Sequence, residues 1–293
     1  LGCPRWNQRW RGGEIPLING RFASHNLVSE TGDATSRGVA HPALVYGLRV
    51  AQVKWNVEHL VRVDSTNTWL ARSARNGAHQ GEVVYADFQS AGRGRLDREW
   101  VAPAGSSLLC SALLEPPAIG APPQMLVLAA ALSMCEALEG LTGARPRLKW
   151  PNDIMYGEAK VAGLLAEAVG PQVVVGLGLN LSAVDPVYSA ATTVLEATGV
   201  SLSPTAVLEA YLEALARRRE LLDSPEGVRT MIEEFVASLS TLGRWVRAEL
   251  SNEVVRGRAI GVDEDGALRI DTGSDVRVVS AGDVVHLRGE EQP

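Results

Sequence analysis

The feature that most constrains this chain is a change of period. Apolar residues recur at helical spacing as far as Leu239 and at every second position from Trp245 onward. One segment places Leu208, Leu212, Leu215 and Leu222 on a single face. The next opens with Ser224 as a cap and Pro225 in its first turn, and puts Val228, Ile232, Phe235 and Leu239 on another. These are the apolar stripes of two amphipathic helices. After Trp245, short alternating runs are broken at Asp265-Gly266 and Thr272-Gly273, where hairpins turn. The last ~45 residues therefore read as hairpin-linked strands, the size of a small SH3-like barrel. The domain boundary falls near Thr241 to Arg244.

Upstream, strands and helices are mixed. Val57, Leu60, Val61 and Val63 suggest a strand starting near Asn56, followed by a helix from about Thr66 to Asn76 that Asp64 or Ser65 can cap. Residues 82 to 88 and 107 to 114 read as strands, and 122 to 141 as a helix rich in alanine and leucine. Residues 148 to 154 read as a strand ending at a proline turn. A hairpin after Tyr156-Gly157 leads to a strand over 160 to 168, and another runs from Val173 to Gly178-Leu179-Asn180. The fold class is α+β.

The 293 residues, 46% hydrophobic and 21% charged, suffice for one large domain and one small one. A net charge of -6 argues against a surface that coats nucleic acid. Cys3, Cys110 and Cys135 are odd in number and lack metal-ligand spacing, so they read as free thiols of a reducing compartment. The apolar run from Met125 to Cys135 is too short for a membrane span of ~20 residues. A soluble cytoplasmic protein is expected, with no membrane or nucleic-acid partner. Residues 1–50 carry no sustained periodicity and read as a poorly ordered extension, with neither a helix-turn-helix nor a transit segment.

The chemistry concentrates in Gln89-Ser-Ala-Gly-Arg-Gly-Arg-Leu-Asp-Arg-Glu-Trp100. Gly92 and Gly94 allow positive φ and close approach of a ligand, while Arg93, Arg95 and Arg98 offer forked donors suited to carboxylates and phosphates. Alone, the Gly92-Arg-Gly-Arg95 tetrapeptide reads first as a basic surface turn between strands. Likewise Asp64-Ser-Thr-Asn67 alone reads as a helix cap before it reads as a polar ligand site. The histidines at 25, 41, 59, 79 and 286 lie outside any such cluster and show no metal spacing.

Taken together, Gly92-Arg-Gly-Arg95 with Arg98 and Trp100, Lys149-Trp-Pro-Asn-Asp153, Lys160, and Gly178-Leu-Asn180 closely resemble the signature set of the biotin protein ligases, in order and in spacing. The resemblance runs from about Asp64 to Leu287. It implies a mixed sheet with flanking helices, related to class II aminoacyl-tRNA synthetases, and a C-terminal SH3-like barrel. The domains would be an extension over 1–50, a biotin- and ATP-binding catalytic domain over 51–241, and the SH3-like domain over 242–293. The type implied is monofunctional, without an N-terminal DNA-binding domain.

The resemblance also implies an activity. Biotin and ATP, with magnesium, give biotinyl-5′-AMP and pyrophosphate, and the biotinyl group then passes to one lysine of a biotin carboxyl carrier domain. Ser65, Thr66, Asn67 and Gln89 would face the ureido end of biotin, with Arg93 and Lys160 at its carboxylate and the α-phosphate. Gly92, Gly94, Arg95, Arg98, Trp100, Asn152, Asp153 and Asn180 would hold the adenylate, Trp100 by stacking. Arg93, Lys160 and Asp153 are the candidate catalytic residues, and Trp150 a core residue. Magnesium would come with ATP, without a dedicated protein site, and homodimers form in the family through a sheet edge. Two other readings are a lipoate or octanoate ligase of the same fold and a biotin-sensing DNA-binding repressor. The first uses a different glycine and arginine pattern, and the second needs a winged helix that residues 1–50 do not resemble.

Overall fold

The computed structural model of the chain describes residues 53–185, 190–250, 253–280 and 282–287. Its strands gather into two sheets. The larger contains β1 (Asn56–Leu60), β2 (Glu82–Ala86), β3 (Ser107–Leu114), β4 (Arg147–Lys149), β5 (Asp153–Tyr156), β6 (Ala159–Val169) and β7 (Gln172–Asn180). Their spatial order is β1-β2-β3-β7-β6-β5-β4. β1 and β2 are parallel and the other neighbours antiparallel, so the sheet is mixed. A parallel pair requires a crossover. Here it is α1 (Thr66–Arg75), which Ser65 caps by accepting from Thr68 N.

β3 is buried at all positions, and its alternation assigns each residue to one of two environments. Leu108, Cys110, Ala112 and Leu114, with Val173, Val175, Leu177 and Leu179 of β7, join the main core. That core is closed by α2 (Gln124–Thr142), α4 (Pro204–Leu221) and α5 (Pro225–Ser238), through residues such as Leu132, Leu215 and Phe235. On the opposite face, Leu113 and Val174 pack with Leu70 of α1 in a smaller cluster. α1 has ten residues, too few to cover that face. The uncovered part, around Ser111, Gly163, Gly176 and Gly178, becomes the floor of a site.

Helix α2 is long and apolar enough to cross a membrane by length and composition, yet 67% of its most apolar window is buried inside the fold, so it serves as a core helix. The helix start at 225 is the one the sequence predicts, with Ser224 as cap and Pro225 in the first turn, and the structure adds a matching start at 204, with Ser203 as cap and Pro204 in the first turn. A short helix, α3 (Val194–Thr198), capped by Thr193, was not anticipated.

The small sheet is antiparallel, ordered β11-β10-β9-β8-β12, with β8 (Trp245–Glu249), β9 (Val254–Val262), β10 (Leu268–Asp271), β11 (Val276–Val279) and β12 (Asp283–His286). Gly266 and Gly273 turn its hairpins at φ 79° and 86°. Val246, Ala248, Leu268 and Ile270 extend the main core into this sheet, and both sheets belong to one compact unit. Trp150, 3% exposed, is a core residue that donates its indole N–H to Gly266 O at 2.9 Å.

Two expectations change. Residues 148 to 154 are not one strand: β4 and β5 pair antiparallel, Lys149 opposite Asp153, around Trp150-Pro151-Asn152. Proline brings no N–H to a ladder, so the chain doubles back there. The first strand is an exposed edge that ends at Leu60, with Val57 38% accessible and Val61, just beyond it, 74% accessible, and it contributes little to the core. The expected extension over 1–50, with Cys3, His25 and His41, lies outside the described residues.

Candidate functional site

The floor is made by missing side chains. Gly163 and Gly178 face each other across β6 and β7. A Cβ at Gly178 would overlap the indole of Trp100, and one at Gly163 would lie 2.9 Å from Lys160 Nζ and 3.2 Å from Trp100 Cζ3. One step along β7, a Cβ at Gly176 would overlap the side-chain amide of Asn67. Glycine inside a strand marks a close approach, and at these three positions it admits Trp100 and Asn67 onto the sheet.

Above the floor lies a cavity of ≈ 280 Å³. All the predicted site residues line it except Gly92. One wall is an uncharged polar network at the start of α1. Gln89 Oε1 accepts from Thr66 N at 2.7 Å and from Thr66 Oγ1 at 3.0 Å. The buried hydroxyl of Ser111 lies 2.8 Å from Thr66 Oγ1 and 2.6 Å from Asn67 Oδ1. Ser65, Thr66 and Asn67 are each under 5% exposed.

The opposite wall is the basic loop, folded on itself. Trp100 N donates to Gly92 O at 3.0 Å and Gly94 N to Arg98 O at 2.6 Å. Contrary to expectation, the residues at positive φ are Leu96 (53°) and Asp97 (56°), not Gly92 or Gly94. Gly92 is needed for proximity, because a Cβ there would strike Trp100 O.

Each cation at the site has a protein partner. Arg93 makes a two-point contact with Glu167, NH2 to Oε1 at 2.7 Å and NH1 to Oε2 at 3.3 Å. Arg95 donates to Asn152 Oδ1 at 3.0 Å and to Gly282 O at 3.1 Å, and burial lowers its pKa. Arg98 pairs with Asp283. Burial acts to raise the Asp283 carboxyl, but the guanidinium of Arg98, aided by Lys149 and Arg95, outweighs it and holds the group below the usual carboxylate value. Lys160 pairs with Asp153 at 2.5 Å. Asn152 donates to Leu164 O at 2.6 Å and Asn180 to Thr192 O at 3.2 Å.

Ser111, Glu167, Asp283, Gly163 and Gly176 are site residues that the sequence reading missed. The glycines had a signal, since they interrupt otherwise apolar strands. Glu167 and Asp283 had none, being 74 and 185 positions from their arginines. None of the described histidines lines the cavity. His59 pairs with Asp87 and stacks on Tyr85, and His286 meets Thr241. Among the described residues, no three His, Cys, Asp or Glu gather as a metal site.

Comparison with known proteins yields a consistent set of relatives. Residues 60–180 match the model of the biotin/lipoate A/B protein ligase family, and residues 241–287 match the biotin protein ligase C-terminal domain. The biotin–[acetyl-CoA-carboxylase] ligase of Mycobacterium tuberculosis is 35% identical over 238 residues, covering 78% of this chain and 88% of that protein. The bifunctional ligase/repressor BirA of Bacillus spizizenii is 25% identical over 97% of this chain and 90% of its own length. Among solved structures, the biotin protein ligase of Aquifex aeolicus in complex with biotin and ATP superposes with a TM-score of 0.71 at 30% identity, covering 80% of this chain and 99% of that one. With the mixed sheet, the antiparallel C-terminal sheet and the glycine-floored cavity, these relationships establish that the chain belongs to the biotin protein ligases.

Proposed function

We propose that the chain condenses biotin with ATP to biotinyl-5′-AMP and pyrophosphate, then transfers the biotinyl group to one lysine of a biotin carboxyl carrier domain. The observation that carries this reading is a single cavity with an uncharged polar corner at Ser65, Thr66, Asn67 and Gln89 and a cationic side at Arg93, Arg95, Arg98 and Lys160. A ligand with a neutral ureido head and an anionic tail suits that polarity.

In the first step a carboxylate oxygen of biotin attacks the α-phosphorus, the bond to the bridging oxygen breaks, and pyrophosphate leaves. The nucleophile is already ionised at neutral pH, so no general base is needed, and the difficulty is to bring it against a polyanion. Lys160 and Arg93 are assigned to the carboxylate and α-phosphate oxygens, where negative charge grows. Trp100 is assigned to the adenine, and Asn152, Asp153 and Asn180 to the nucleotide. Gly94 lets the loop backbone approach it, Gly92 lets the loop close on Trp100, and Arg95 and Arg98 order the loop over the mixed anhydride. Asp153 is the carboxylate that would hold magnesium arriving with ATP, and the ion would supply charge to offset that of the triphosphate.

In the second step the carrier amine attacks the acyl carbon and AMP leaves with the anhydride oxygen. A free lysine has a pKa of ~10.4, so its proton must be accepted, and Asp153 is the candidate base. The proposal extends to a catalytic domain over 51–241, an SH3-like domain over 242–293, a cytoplasmic setting, and homodimerisation through an open sheet edge. The repressor reading has one observation in its favour, the alignment with a bifunctional ligase/repressor over 97% of this chain.

The test is ATP–pyrophosphate isotope exchange by the purified chain with biotin, lipoate or octanoate supplied separately. Exchange with biotin alone supports the proposal. Exchange with lipoate or octanoate moves the assignment to acyl ligases of the same fold. Retardation of biotin-operon operator DNA in the presence of biotinyl-5′-AMP would add the repressor role.

A further inference from the structure

We infer that Glu167 is a positioning residue of this site, fixing the basic loop and the polar wall relative to each other. The inference rests on the ligase reading above for its functional meaning. Glu167 lies on β6, next to but not lining the cavity. Its carboxylate receives both Arg93 NH groups and, through Oε2, the amide of Asn67 at 2.8 Å. One side chain thus joins three segments: β6, the start of α1 and the loop over 92–100.

The strand pattern explains the placement. Glu167, Leu165 and Gly163 alternate onto the face of β6 that bears the site, opposite Val174, Gly176 and Gly178 of β7. Apolar or absent side chains at the other positions make a lone carboxylate here conspicuous. Gly176 lets Asn67 sit low enough to reach it. Arg93 and Glu167 are 49% and 26% exposed at the side chain, and a pair so solvated adds little to global stability. A two-point guanidinium–carboxylate contact instead fixes direction. Without it, Arg93 is a long flexible side chain on a loop. The same carboxylate occupies the Asn67 amide, which leaves the orientation of that amide toward the cavity settled before a ligand arrives.

The test uses Glu167→Gln, which keeps a carbonyl for Asn67 and removes the charge that holds Arg93. Two readouts separate the tether from its use. Limited trypsin digestion of the ligand-free chain reports cleavage after Arg93, Arg95 and Arg98, and exchange with biotin reports catalysis. Glu167→Gln is expected to speed loop cleavage about threefold, the opening cost typical of a solvated ion pair, with the thermal midpoint lowered by no more than a few degrees. Exchange should fall about tenfold, mainly through a higher KM for biotin, and Glu167→Gln should add less than about twofold to Arg93→Ala. Glu167→Asp, which keeps the charge, should recover part of the loss. Loop cleavage at the wild-type rate overturns the tether whether or not the chain proves to be a ligase. Normal exchange by Glu167→Gln, or losses that multiply with those of Arg93→Ala, overturns its role in the reaction. A wild-type chain that fails to exchange with biotin defeats the ligase reading alone, while the cleavage rate still decides the tether.

Discussion

Lys160 Nζ lies 2.5 Å from Asp153 Oδ1 and 5.6 Å from the centre of the Trp100 ring. The three side chains come from β6, the start of β5 and the basic loop, so the ammonium is the meeting point of a sheet and a loop. Its charge is balanced by one carboxylate at a position accessible to a ligand, an arrangement suited to exchanging that carboxylate for a substrate anion.

Replacing Lys160 with alanine should lower biotin-dependent exchange by ~10² to 10³, the usual effect of removing one group that stabilises developing charge. Stability should change by less than about 1 kcal/mol, because the pair is partly solvated. Exchange kinetics and a thermal melt measured on the same preparation check both statements, and near-normal turnover would remove Lys160 from the chemistry.

Gly178→Ala places a methyl group where the Trp100 indole now lies. Overpacking of this kind costs about 1 to 3 kcal/mol. Here much of it should appear as lost affinity for the nucleotide, with ATP binding weakened about tenfold or more by calorimetric titration. Unaltered affinity would mean that the indole can shift without consequence.

The tie between the basic loop and the small sheet should fail in acid. Asp283 sits below its ordinary value of 3.8, so its contribution is fully present above that value and is lost as pH falls through the depressed folded value. The stability difference between the wild type and Asp283→Asn should therefore be present at pH 6 and shrink as pH drops below 3.8. Urea midpoints across that range measure it, and a difference that persists in strong acid would exclude the ion pair as its source.

Cys110 and Cys135 should be inert in the folded chain. Both are buried, and burial pushes each thiol up to about 12, leaving almost no thiolate at pH 8. Iodoacetamide followed by peptide mass mapping should leave both unmodified in buffer and alkylate both in urea.

Much of this could be read in the chain because the signals are local. Ser65 and Ser224 sit where helix caps belong, and the basic loop and the Lys149-to-Asp153 turn are contiguous in sequence. Where the reading stopped, the cause was distance or subtlety. Nothing near Arg93 announces Glu167, and nothing near Arg98 announces Asp283, since pairing across the fold depends on strand order. The double strand around Pro151 was missed because three residues of β4 and four of β5 are too short to show a period. The loop glycines were noticed for the wrong property: Gly92 supplies proximity, while Leu96 and Asp97 take the left-handed turn.

The glycine floor gives the site a lopsided sensitivity. A rim of arginines on long side chains can absorb a substitution by swinging aside, but a sheet has no such freedom, and one added carbon at 176 or 178 intrudes on a neighbour at once. Harmful changes should therefore be chemically small and lie at the bottom of the cavity, among residues that contact a ligand through nothing but their backbone. A library of alanine replacements, ordinarily a search for what a side chain contributes, would at these positions measure the worth of an empty space.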